Sequence, residues 1–133
     1  MYTYRAKLFR VVDADTIIFD VDLGFRQWIH GWPFRISGIS ARELGDEGGP
    51  EARAYLVTLL AQFGERPCVI QSVRAPDQAG DQFPMSFGRY VANVFLPDGQ
   101  DLAEYLIANG WAVRWDGRSK PVPLPPWPRP VVV

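Results

Sequence analysis

The chain has 133 residues, 47% of them hydrophobic, with 14 Lys and Arg against 15 Asp and Glu and a formal net charge of −1. That size and balance fit one globular domain and exclude a disordered or fibrous chain. They also exclude a global positive field, so attraction for a polyanion has to come from local arginines or a bound cation. Cys68 is the single cysteine, which excludes an intramolecular disulfide and a cysteine-rich zinc site. No run approaches the roughly 18 to 20 apolar residues of a membrane helix, and Arg5, Lys7 and Arg10 interrupt what would be the core of a signal peptide. The expectation is a cytoplasmic protein with no membrane partner. Twelve of the 14 basic residues are arginine, which suits phosphate recognition but also follows from GC-rich coding.

Tyr2, Tyr4, Ala6 and Leu8 alternate with Thr3, Arg5 and Lys7, and Val11-Val12 continues the pattern to a turn at Asp13-Ala14-Asp15. Thr16 to Leu23 alternates again, so the two runs read as a hairpin, ended by Gly24. The aromatic segment Phe25 to Pro33 leads into a third strand, Phe34 to Ile39. Pro50 and Glu51 open a helix over 50–63, closed by Gly64, whose Ala52, Tyr55, Leu56, Leu59, Leu60 and Phe63 face the sheet while Arg53, Thr58 and Gln62 face water.

Pro67 to Val73 reads as a fourth strand, 75–85 as a polar loop, and Tyr90 to Leu96 as a fifth strand before the turn Pro97-Asp98-Gly99. Asp101 and Glu104 have capping-box spacing for a second helix that ends at Gly110, and Trp111 to Trp115 forms a last short strand. Six of the twelve prolines fall within Pro121 to Pro130, so the chain divides into a domain over 1–118 and a proline-rich extension over 119–133. With Leu124 and Trp127 as anchors, Pro121 to Val133 suits a protein partner's aromatic groove, self-association, or a strap over the body. Periodicity alone leaves two folds open, a small OB-type barrel and an α+β sheet with two helices on one face.

Val12-Asp13-Ala14-Asp15-Thr16, Phe34 to Glu43, Gly49-Pro50-Glu51-Ala52, Phe87-Gly88-Arg89 and Leu102 to Ala112 occur in an order and at spacings that resemble the staphylococcal nuclease-like (thermonuclease) family. The resemblance runs over residues 5–116. It implies a mainly β fold, an OB-fold five-stranded barrel with two helices, and calcium-dependent hydrolysis of phosphodiesters in DNA or RNA. It also implies a bacterial or phage-encoded accessory nuclease, which in the latter case works in the host cytoplasm. Carried over residue by residue, the resemblance implies Asp15 as a calcium ligand with Asp13 supporting it, Arg35 and Arg89 on the scissile phosphate, and Glu43 as general base on the attacking water or as its organiser. A phosphodiester is already anionic, so the charge gained in its transition state calls for a hard cation and guanidinium forks.

Three positions depart from the pattern. Ser40 stands where the family has its second aspartate ligand, followed by Ala41, and a neutral hydroxyl is a weak ligand. A tenfold loss of calcium affinity corresponds to about 1.4 kcal/mol, and the substitution predicts a loss of at least that order. Magnesium or manganese also suits a site with fewer carboxylates and more water. Arg42 replaces the family proline, where it either lowers the basicity of Glu43, pairs with it, or adds a phosphate contact. Three outcomes follow: a metal held by Asp15, Glu43, a backbone carbonyl and water; recruitment of Asp46 or Glu47; or a catalytically silent module that keeps Arg35 and Arg89 to bind nucleic acid, or that binds a protein partner.

The remaining candidates read as structural. His30, the only histidine, has no catalytic neighbour at useful spacing, Cys68 alternates within an apolar strand, and Ser37, Ser40 and Ser86 lack a nucleophile-elbow context. Trp28, Trp32, Trp111 and Trp115 either stack nucleobases or complete a small core.

Overall fold

Two strands joined at Ala14-Asp15 set the architecture: β1 (Thr3–Asp13) pairs antiparallel with β2 (Thr16–Gly24), and the pairing ends at Asp13 opposite Thr16. The computed structural model describes residues 2–73, 85–86, 89–117, 120 and 122–124, with the side chains of 85, 86 and 89 excepted. The polar loop over 75–84 and most of the proline-rich tail lie outside the described residues. The alternation of the first hairpin holds in part: Ala6, Val11, Ile17, Phe19 and Val21 point into the core and Arg5, Lys7 and Arg10 stay exposed, but Tyr2 at the chain start and Leu8 beside a β-bulge are exposed as well.

The third strand begins earlier than the sequence indicates. β3 (Gln27–Ile36) takes in most of the aromatic segment, because Gly24 pairs with Gln27 across a two-residue turn in which Phe25 and Arg26 both adopt positive φ, 53° and 61°. Such a turn matches the twist of the strands but is usually built from Asn and Gly, so Phe-Arg gave no signal for it. The strand also stops earlier. Gly38 turns the chain at φ 85°, and Ile39 belongs to a separate strand, β4 (Ile39–Ala41).

Helix α1 (Gly49–Ala61) starts and ends slightly before the expected 50–63 and buries Ala52, Leu56, Leu59 and Leu60, with Tyr55 and Phe63 half-buried beside them. Thr58 and Gln62 face solvent as expected. Arg53 does not: it is half-buried, and its Nε donates to the carbonyl of Val11 on β1 at 3.1 Å. β5 (Cys68–Ser72), β6 (Met85–Ser86) and β7 (Arg89–Phe95) follow. Cys68 is buried, which pushes its thiol up to about 11.

Asp101 caps α2 (Leu102–Ala108) by accepting from Ala103 N at 2.9 Å. Glu104 leaves the expected capping box and instead forms a two-point ion pair with Arg114 at 2.7 and 2.6 Å. Gly110 at φ 78° closes the helix, with Gly110 N bonded to Ile107 O and Trp111 N to Leu106 O. Trp111 is buried and stacks on Tyr55 at 5.1 Å, joining the end of α2 to α1.

The strand order is β3-β2-β1-β5-β7-β6, and a further parallel pairing of β3 with β7 closes five strands into a barrel. The architecture is therefore an OB-type barrel with two helices, and the open α+β sheet is excluded. Phe19, Ile17, Ile36, Ile70 and Val94 are fully buried, and Leu56, Leu102 and Leu106 of the helices join the same core. β4 and the last strand, β8 (Ala112–Arg114), form a separate two-stranded sheet. Among the described residues no helix is long and apolar enough to cross a membrane.

Candidate functional site

The β1–β2 turn folds back on itself through short side chains. Asp15 N donates to Asp13 Oδ1 at 3.2 Å, the turn geometry for which aspartate is favoured, and Thr16 Oγ1 donates to Asp15 Oδ1 at 3.1 Å. Asp13, Asp15 and Thr16 are all buried, as is Ala14 between them. Asp15 O accepts from Ile36 N at 2.8 Å, which fixes the turn against the end of β3.

Arg35 reaches this turn from β3, where its Cα pairs with Thr16 on one side and Val91 of β7 on the other. Its Nη2 donates to Ile39 O at 2.9 Å and lies 3.9 Å from Asp15 Oδ2, an ion-pair separation too long for a hydrogen bond. The guanidinium stacks over the Trp115 ring at 4.5 Å, and Trp115 is held there by its own N–H on Gly38 O at 2.9 Å. The arginine is thus held from three directions, with its side chain 11% exposed.

Glu43 is exposed and arrives on the loop between β4 and α1. Its N–H donates to Asp46 Oδ2 and its carbonyl accepts from Asp46 N, both at 2.9 Å, so Asp46 serves as the brace of this turn. Gly49 seats the loop on the helix, since a Cβ there would collide with the Glu43 carbonyl. Burial above all, then a side-chain hydrogen bond with Asp15 and the negative charges of Asp15 and Glu43, hold the Asp13 carboxyl up to about 7 against the opposing pull of the Asp15 N–H. Glu43 therefore lies within the electrostatic reach of the aspartate pair.

The other expected residues are placed as follows. Ser40 is half-buried in β4, opposite Val113 of β8. Arg42 is 6% exposed, and its Nη1 donates to Glu47 O at 3.2 Å, which ties it to the same loop. Arg89 opens β7 two residues before Val91, the parallel neighbour of Arg35, and its side chain lies outside the described residues. Among the described residues no group of three or more His, Cys, Asp and Glu is arranged to hold a metal ion. Two buried carboxylates nevertheless share this turn, one of them raised above all by its burial, and carboxylate oxygens are the donor type that hard cations take.

His30 is exposed, stacks on Trp28 at 6.3 Å and has Nδ1 3.5 Å from Asp20, away from this turn on the β2–β3 surface. Trp115 is the site residue that sequence reasoning left undecided. No local pattern ties it to Arg35, because the β4–β8 pairing brings them together.

Fold and site together define a closed five-stranded barrel of the OB type with carboxylate and guanidinium groups clustered at the first hairpin turn. No protein-family model and no curated protein matches this chain.

Proposed function

We propose that the protein is a divalent-metal-dependent nuclease that hydrolyses phosphodiester bonds of DNA or RNA at the Asp13–Asp15–Arg35 end of the barrel. The observation that carries this reading is the pairing of one preorganised guanidinium with two buried, mutually repelling carboxylates on adjoining strands. Positive and negative groups so placed match the two needs of phosphodiester hydrolysis, a hold on the phosphate oxygens and a seat for a cation.

In this reading Asp15 and Asp13 would hold calcium, or magnesium or manganese, with Ser40 as a weak neutral ligand. The cation, when bound, supplies positive charge to the phosphate as negative charge develops there. Arg35 grips a non-bridging oxygen, with Arg89 as its partner on the neighbouring strand. Glu43, exposed beside the turn, takes the proton of the attacking water as its oxygen bonds to phosphorus. The P–O ester bond breaks, the leaving alkoxide is protonated, and one phosphodiester and one water become a phosphomonoester and an alcohol. Arg42 braces the loop that carries Glu43.

The test is cleavage of single-stranded and duplex DNA with calcium, magnesium, manganese or EDTA, for wild type, Glu43→Gln and Ser40→Asp. We expect metal-dependent cleavage, a loss of about 10²- to 10⁴-fold in Glu43→Gln, and a gain in Ser40→Asp. Cleavage in EDTA, or an unaffected Glu43→Gln, overturns the mechanism. A second reading, a catalytically silent module that binds nucleic acid or a protein partner, draws support from Ser40, which leaves a neutral hydroxyl where a carboxylate would serve a cation. Salt-sensitive binding without cleavage under every metal selects it.

A further inference from the structure

We infer that the groove between β1 and the start of α1 binds a second phosphate of the same strand, so that the substrate is an oligonucleotide rather than a single nucleotide. This inference rests on the nuclease reading and extends it along the surface. The groove has a volume of about 360 Å³ and is lined by Arg10, Val11, Val12, Leu44, Pro50 and Arg53. Two guanidinium groups stand over an apolar floor, and no carboxylate lines it.

Neither arginine makes an ion pair among the described residues. Arg53 is nonetheless oriented, since its Nε is fixed on Val11 O and the side chain is held against β1. Arg10 is exposed and follows a β-bulge between Leu8 and Arg10 that leaves Phe9 without a partner on β2 and 62% exposed. Bulges of this kind re-aim side chains at strand edges and beside sites.

The location carries the argument. Val12 precedes Asp13 and Leu44 follows Glu43, so the groove adjoins the candidate site through both of the chain segments that build it. Arg10 lies three residues before Asp13, roughly 10 Å along a strand, which is farther than one phosphate group extends and within reach of a neighbouring phosphate of the same strand. Charge complementarity demands such a feature. Asp13, Asp15 and Glu43 concentrate negative charge at the turn, in a protein whose net charge is −1, and an incoming polyanion needs compensating positive groups beside them. The apolar floor gives the sugar or base of the bound nucleotide a surface to cover.

The experiment measures binding of a single-stranded hexanucleotide and of a nucleoside 5′-monophosphate to Glu43→Gln protein with calcium, at several salt concentrations. It is repeated after adding Arg10→Ala or Arg53→Gln, the latter keeping an amide donor for Val11 O. Each added substitution is expected to lower the slope of log affinity against log salt by about 0.7 for the hexanucleotide and to leave monophosphate binding unchanged. An unaltered hexanucleotide slope overturns the second subsite while the nuclease reading stands. Equal weakening of both ligands also overturns it, because the arginines then act at the first phosphate or on the fold. If the parent protein binds neither ligand, the nuclease reading and the subsite fall together. Should Arg53→Gln lower the melting temperature, exposed Arg10 carries the test alone.

Discussion

Asp13 is buried next to Asp15 and within the field of Glu43, and its carboxyl is held up to about 7 against 3.8 in the unfolded chain. A raised carboxyl means that the native state binds the proton more tightly than the unfolded state does. The stability this group contributes is complete below about pH 4 and is lost as the pH climbs to 7. Asp13→Asn keeps an oxygen to accept from Asp15 N and removes the buried charge. In EDTA, denaturant titrations should show the variant more stable than wild type at pH 8 by up to a few kcal/mol, with the gap closing towards pH 4. A gap of equal size at both pH values would refute this. The same residues show what sequence could reveal at this scale. Asp13, Asp15 and Arg35 stand out only through the resemblance, since aspartates at a hairpin turn and an arginine on a strand otherwise read as structural. The Trp115 stack and the inward turn of Arg53 are not legible, since each depends on a backbone carbonyl or ring delivered from a distant strand, about which a helical or strand period carries no information.

At the scale of elements, turns decide more than strands. The β2–β3 connection places Phe25 and Arg26 in the left-handed region, which costs residues with a Cβ roughly 1–2 kcal/mol each, and Phe25 is 99% exposed and packs on nothing that would repay it. Replacing the pair by Asn-Gly should raise stability by about 1–2 kcal/mol and leave cleavage unchanged, as a thermal melt and an activity assay will show. The loop before α1 behaves in the opposite way, for Gly49 is pressed against the Glu43 carbonyl. Gly49→Ala should lower stability by about 1–3 kcal/mol and also reduce cleavage, because the loop must lift away and take Glu43 with it; a destabilised variant with full activity below its melting temperature would contradict this. Both strands of the first hairpin, both helices and the cap at Asp101 are legible from alternation, helical spacing and a capping aspartate. The start of β3 and the break at Gly38 are hidden, the first by a turn built from unsuited residues and the second by an apolar run that continues across it.

At the scale of the molecule, what the amino-acid pattern leaves open is closure. Alternating strands serve an open sheet as well as a barrel, and the difference lies in one parallel seam of three pairs: Phe34 with Tyr90, Arg35 with Val91, and Ile36 with Ala92. Parallel pairing between segments so far apart in the chain has to overcome a large loop-closure entropy, so such contacts form late in folding. The seam comprises only three residue pairs, fewer than the β1–β2 ladder. It belongs among the first parts of the barrel to open. Hydrogen exchange should therefore find the amides of Arg35 to Ile36 and Val91 to Ala92 less protected than those of the β1–β2 pair, and a bound oligonucleotide should slow them selectively. Uniform protection around the barrel would count against this. Because Arg35 is the middle residue of that seam, the barrel cannot open there without disturbing the contacts of Arg35 with Asp15, Ile39 O and Trp115. A chain still emerging from the ribosome has no assembled Arg35 cluster until residues 90–92 have docked, which on the proposed nuclease reading sets a built-in delay between synthesis and activity.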